Sequence, residues 1–268
     1  MTDTIRIAGR SLRIIDLSDR LDNATSPFEP NPHKIDYLTP DRSPAAMLAK
    51  RGIPLESWPG GLGWATELVT LPTHAGTHVD APAHYGPTAD GRRGRTIDEV
   101  PLSWCANDGV LLDFSTRPAG YGITADDVAA EMDRIGHAIK PLEIVLVRTD
   151  ASRHFKQPGY ELRHAGLTRT ATEYLVDRGV RLIGIDAWGL DRPFDVMLAD
   201  HAAGQSQFWE SHLLGREKEY CQIEKLCNLA DIPHPTGFTV LALPVKLADA
   251  SGAWARVVAL VDADRPDR

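Results

Sequence analysis

Eleven residues, His74-Ala-Gly-Thr-His-Val-Asp-Ala-Pro-Ala-His84, gather three histidines and an aspartate around a glycine and a proline. His78 and Asp80 are two apart, so on an extended segment their side chains share one face. His74 lies four residues earlier, and Gly76 between the two imidazoles lets the backbone bend and bring them together. Two imidazoles and one carboxylate suit a divalent ion such as zinc, manganese or iron. Three protein ligands leave positions open for water, which marks a catalytic rather than a closed structural site. Pro82 stiffens the exit, and His84, four residues past Asp80, is placed to shuttle a proton. The helical HExxH pattern is absent, since glycine and proline forbid a long helix here.

The elements that must hold this cluster are legible in outline. "TIRIAGRSLRIIDLS" reads as two short strands about a Gly-Arg turn. The polar, proline-bearing run that follows is long for a connector, and residues 20–50 are expected to form a lid or a subunit-contact segment. Within it, "PAAMLAKRG" reads as a short helix closed by Gly52. "WATELVTLP" alternates like a strand that leads into the histidines.

Beyond the cluster, "GVLLDF" (Gly109–Phe114), "EIVLVRT" (Glu143–Thr149) and "RLIGID" (Arg181–Asp186) are continuous apolar runs suited to strands buried on both faces. A helix between the first two is capped by Thr124 with Asp127 three residues on. It carries a stripe of Val128, Met132, Ile135 and Ile139. A second helix spans Thr168 to Arg178 and ends at Gly179. The order β-α-β-α-β predicts a partly parallel sheet in an α/β fold. "GFTVLALPVKLA" and "AWARVVALVD" close the chain as two further strands, read as a hairpin about Asp249–Gly252. No repeat or linker appears, so residues 1–268 read as one domain.

Composition bounds the partners. The 268 residues are 43% hydrophobic and 25% charged, as in globular proteins. Net charge is −8 with a pI near 5.7, which argues against nucleic acid and against anionic membrane. No apolar run is long enough to span a bilayer. The start shows no basic head with an apolar core, so no signal peptide is expected. Three cysteines without a CxxC fit a reducing compartment and a cytoplasmic location.

The segment His74–His84 matches in full the pattern HxGTHxDxPxH, and the chain thereby resembles the metal-dependent cyclase-like amidohydrolases, which include bacterial kynurenine formamidase and isatin hydrolase. "IIDLS", "GID" (Gly184–Asp186) and "LPVKL" (Leu243–Leu247) look like further landmarks. The resemblance implies a swivelling β/β/α fold, with mixed sheet and flanking helices, and hydrolysis of an amide-type C–N bond. It implies His74, His78 and Asp80 as ligands of Mn2+ or Zn2+, with His84 as the acid/base residue. Dinuclear relatives add a downstream His and Glu twelve apart, the separation of His212 and Glu224. In mononuclear relatives that region lines the pocket, with Gln222 a further candidate. One ion and two both remain open, and a homodimer or homotetramer is implied.

On that footing, hydroxide on the ion attacks a planar acyl carbon. The ion or a nearby donor stabilises the oxyanion. His84 passes a proton to the departing nitrogen. Asp80 holds the ion and could orient the nucleophile. Thr77 is open between bonding a ligand and bonding its own backbone. Trp58, Trp64 and Phe28 precede or border the cluster, and Trp188, Phe208 and Trp209 flank the downstream residues. Together they point to a cyclic or aromatic small molecule, with Phe28 and Trp64 as the expected contacts. The leading reading is a hydrolase opening a small cyclic amide or imide. The alternatives are an arylformamidase acting on a linear N-formyl substrate and, in another class, a non-catalytic metal-binding scaffold.

Overall fold

The computed structural model describes residues 3–29 and 31–265. Counting strands of three or more residues, it contains β1 (Asp3–Ile7), β2 (Arg10–Asp16), β3 (Lys34–Leu38), β4 (Thr66–Thr70), β5 (His78–Asp80), β6 (Ala106–Asp113), β7 (Ile144–Arg148), β8 (Leu182–Ile185), β9 (Cys221–Glu224), β10 (Thr236–Leu241), β11 (Gly252–Trp254) and β12 (Val258–Asp262). Ten of them form one mixed sheet in the order β1-β2-β12-β10-β6-β7-β8-β9-β5-β11, and β3 pairs with β4 apart from it. Among the described residues no helix is long and apolar enough to cross a membrane.

The centre of the sheet follows the apolar runs. β6, β7, β8 and β9 are parallel neighbours. The helices Ala125–Ile135 and Arg169–Asp177 form the crossovers expected between the first three. Thr124 Oγ1 accepts the Asp127 amide while the Asp127 carboxylate accepts the Thr124 amide, so two orphan donors of the helix start are satisfied. Alternation then sorts the strand residues. Val110, Leu112, Val145, Val147, Ile183 and Ile185 pack under the helices. Leu111, Ile144, Leu146 and Leu182 point to the opposite face, where Val79, Ile223, Val240 and Ala259 join them.

That second face is enclosed because the sheet curls. β11 and β12 stand seven places apart in strand order, roughly 34 Å if the sheet were flat at ~4.8 Å per strand. Only Ala255–Val257 connect them, and four Cα steps reach at most about 14 Å. The β5–β11 edge therefore comes round to meet β2 and β12. Leu17 N donates to Val257 O, Ala255 N donates to Thr77 O, and Ser18 bridges to Leu226.

One expectation is corrected. The closing stretch is not a simple hairpin about Asp249–Gly252: β10 and β12 do pair antiparallel, but β11 leaves that pair to cover the outer edge of β5. Gly252 and Ala253 are small enough for that close approach. The early polar run, read as a lid or subunit-contact segment, carries local order of its own. Asn23 brackets Ile35 with two hydrogen bonds, and β3 pairs along β4. The strand read from "WATELVTLP" exists, yet all of β4 is exposed.

Strand ends near the cluster are tied by Asp186, 2% exposed. It accepts from Thr149 N, Thr149 Oγ1 and Asp150 N at 2.7–2.9 Å, joining the ends of β7 and β8. Burial pushes its pKa up to about 6 despite these donors. Asp186→Ala would strand three donors, and chemical denaturation should show a loss of about 2–4 kcal/mol.

Candidate active site

β5 lies between β9 and β11, and its register builds the site. Asp80 stands opposite Gln222 and Gly252, and His78 opposite Glu224 and Trp254. Directly opposed residues on antiparallel strands share a face, so Glu224 is brought beside His78 across the ladder. His78 Nε2 lies 3.2 Å from Asp80 Oδ1 and 3.6 Å from Glu224 Oε2. Its Nδ1 donates to Gly76 O at 2.7 Å, which orients Nε2 toward the two carboxylates. His74 enters from the preceding turn, with Nδ1 2.6 Å from Asp80 Oδ1 and Nε2 2.9 Å from Ser251 Oγ.

Candidate ligand atoms of His74, His78 and Asp80 all lie within 4.8 Å of one another, and the same holds for Asp80, His84 and His212. Asp80 is thus common to two adjoining groups. His212 comes from the short helix Glu210–Leu214. Asp191 holds it there by accepting from His212 Nδ1 at 2.5 Å and from the amides of Ser211 and His212. The free Nε2 faces Glu224 Oε1 at 3.8 Å.

The donor set fits a divalent cation. Two buried atoms of the cluster, His78 Nε2 and Asp80 Oδ2, have no hydrogen-bond partner among the described residues. Such atoms are rare in native interiors. Two carboxylates, Asp80 and Glu224, face the same space. Burial opposes ionisation of Asp80, but the imidazoles at 78 and 84 and the His74 hydrogen bond hold it well below the usual range. Glu224 is pushed up, first by burial and then by Asp80. A cation between them removes that conflict.

His84 differs from the other imidazoles. Its ring stacks on His74 at 4.1 Å between centroids and lies 5.5 Å from His212. Burial lowers its pKa to about 4, only partly opposed by Asp80. It is therefore a neutral base near pH 7. Beside it opens a cavity of about 180 Å³, walled by Trp188, Pro193, Phe194, Met197 and Trp209, with His74, His84, His212 and Glu224 at its polar end. Trp209 stacks on His212 at 4.1 Å, and Phe208 packs behind Phe194.

The structure thus brings His74, His78, Asp80, His84, His212 and Glu224 together. It does not bring Phe28 or Trp64 to the cavity. Trp64 is 46% exposed and packs on Trp58, and Phe28 ends a short turn outside the lining. Nearness in sequence to the histidines did not become nearness in space, because the segment carrying Trp64 ends in the exposed β3–β4 ribbon. Gln222 is also not a cavity residue. It is fully buried and donates from Nε2 to Tyr220 Oη, which itself donates to Ser211 O. The Thr77 hydroxyl does not bond its own turn: it donates to Lys225 O at 2.7 Å and accepts from Asp19 N at 3.3 Å.

Sequence reasoning missed Asp191, Ser251, Gly252, Glu29 and Lys225. Asp191 had a faint signal in the aromatic-rich "IDAWGLDRPF". The others had none, being supplied by register and long-range contact.

Comparison with known proteins shows the family and the fold. A family model described as "Putative cyclase" matches residues 15–192. The chain belongs to the putative cyclase family. Kynurenine formamidase of Delftia acidovorans is 29% identical over 193 residues, covering 71% of this chain and 77% of that protein. The Maricaulis maris kynurenine formamidase is 28% identical over 219 residues, covering 76% and 91%. Among solved structures, an isatin hydrolase bound to the product analogue thioisatinate superposes with a TM-score of 0.72 at 23% identity, covering 94% of this chain and 93% of that one. Isatin hydrolase A from Ralstonia solanacearum gives 0.72 at 24%, covering 93% and 92%. The cyclase-family chain is accordingly an enzyme of the amidohydrolase kind.

A Cβ added at Gly252 would lie 2.7 Å from His74 Cε1 and 2.9 Å from Val79 O. Gly252→Ala should therefore displace the His74 ring. Titration with Zn2+ against a chelator is expected to show affinity lowered about tenfold or more.

Proposed function

We propose that this chain hydrolyses the C–N bond of a small cyclic amide or imide, using a divalent ion, Mn2+ or Zn2+, held by His74, His78 and Asp80. His212 and Glu224 are placed to complete a second position. The observation that carries the reading is the apolar cavity abutting His84 and the His/Asp cluster. An apolar cavity of ~150 Å³ accepts a benzene ring, so 180 Å³ suits one ring or a small fused pair. Trp188 and Trp209 offer flat walls for it.

When bound, such an ion polarises the acyl oxygen and lowers the pKa of water at the site. The chain's own residues do the rest. Asp191 locks His212 with Nε2 toward the reacting end. The apolar walls exclude bulk water from the acyl group. A ring nitrogen of His84, neutral near pH 7, takes a proton from the attacking water and then delivers it to the departing nitrogen, which leaves poorly as an anion. In a cyclic substrate that nitrogen stays tethered to the product, so both new groups remain in one cavity.

A second reading, hydrolysis of a linear N-formyl arylamine, is favoured by the kynurenine formamidase relatives. The reading also carries the homodimer or homotetramer implied by the resemblance, which light scattering on purified protein decides.

Metal analysis and turnover of two variants test the assignment. His78→Ala is expected to lose both bound metal and activity. His84→Ala should keep its metal and lose about 10²–10⁴-fold in turnover. Metal-loaded protein should open isatin, small lactams or cyclic imides faster than it deformylates N-formylkynurenine. The reverse preference selects the second reading, and turnover of neither class rejects both.

A further inference from the structure

The turn that carries the first imidazole is fastened by a buried ion pair that the chemistry above does not use. Lys225 Nζ donates to Glu29 Oε2 at 2.6 Å, with the two side chains 4% and 2% exposed. The same ammonium donates to His74 O at 3.3 Å. The other oxygen of Glu29 accepts Gly76 N at 3.1 Å. Lys225 O in turn accepts the Thr77 hydroxyl. Three of the four residues of the turn His74–Thr77 are therefore bonded to this pair. Lys225 directly follows Glu224, and its backbone sits at φ +58, a left-handed conformation rare for a lysine.

Glu29 reaches this position from the early run. Residues 22–29 are held by hydrogen bonds among themselves and to His33. Thr25 Oγ1 donates to Asp22 O, Ser26 Oγ donates to His33 O, and His33 Nε2 lies 2.7 Å from Asp22 O. Thr25 is fully buried. Glu29 is the buried charge through which this unit reaches the turn and the residue after Glu224.

We propose that Glu29 and Lys225 are positioning residues for the metal, and that docking of the 22–29 unit and metal binding are one coupled equilibrium. The coupling is mechanical. His74 and His78 flank Gly76, so the spacing of their ring nitrogens depends on how the turn is held at His74 O, Gly76 N and Thr77. Docked Glu29 and Lys225 hold all three. By linkage, whatever the docked unit contributes to metal affinity, bound metal returns to docking. The inference rests on the proposed metal site but adds a claim about a segment 45 or more residues upstream of the ligands, which can fail alone.

The experiment uses the full chain and the metal alone, Zn2+ or Mn2+. Affinity is read by chelator competition, and amide hydrogen exchange is read with and without saturating metal. In the parent, metal should slow exchange at residues 22–29 as well as at 74–77. The double variant Glu29→Gln with Lys225→Met leaves no unpaired buried charge, so it should stay folded, with a melting temperature near the parent's. Its metal affinity should nevertheless fall about tenfold or more, and metal should no longer protect 22–29. Thr77→Val, which removes one hydroxyl only, should give a smaller loss of affinity in the same direction. Parental affinity in the double variant, or exchange at 22–29 unchanged by metal in the parent, overturns the coupling and leaves the metal site standing. A parent that binds neither ion overturns both.

Discussion

A carboxylate sealed from water must be met by positive charge or by donors, and Asp80 is fully buried. That single requirement organises its surroundings. Oδ1 is shared between His74 and His78, Oδ2 is unmatched by any described residue, and Glu224 brings a second negative group to the same side of the sheet. Without a cation the arrangement is a conflict of like charges in a dry place. The donor set suits a divalent cation, which would relieve that conflict. The neighbouring charges are balanced within the protein instead: Asp191 against His212 and Glu29 against Lys225. Breaking such a buried pair from one side costs about 3–5 kcal/mol, because the survivor is left uncompensated. The cluster is thus framed by pairs that resist rearrangement.

The neutral His84 belongs to the same electrostatic scheme. Three other imidazoles surround it, and each, when charged, would repel a proton on its ring. Burial acts in the same direction. In the proposed function, where His84 accepts and then releases a proton, such weak holding is an advantage. Trp209 serves two surfaces at once, one face on His212 and an edge toward His84. The cavity wall is therefore fixed to the imidazoles at its polar end.

What the sequence disclosed was local. The eleven-residue motif, the apolar runs of β6, β7 and β8, and the Thr124–Asp127 cap depend on neighbours within a few positions, and all appear as read. The pairing of His212 with Glu224 was visible as a spacing, though the strand register that places Glu224 opposite His78 was not. What stayed hidden required distant segments. Ser251 and Gly252 meet His74 because β11 crosses to the far edge of the sheet. Glu29 meets Lys225 across 196 positions of sequence. Phe28 and Trp64, expected as substrate contacts, are not among the residues that line this cavity. Trp64, two residues before β4, is 46% exposed, while Trp188, Phe194 and Trp209 form the wall.

The curled sheet sets the order in which this site can come into being. β2 from the beginning of the chain, β5 from its first third and β11–β12 from its end must all close on one another, a topology of high contact order that folds slowly. Ser251 is 177 positions from the imidazole it bonds. A chain emerging from the ribosome would therefore display the histidine motif long before the outer wall that cradles it exists. The geometry around His74 is complete only after β11 and β12, at residues 252–262, have been made.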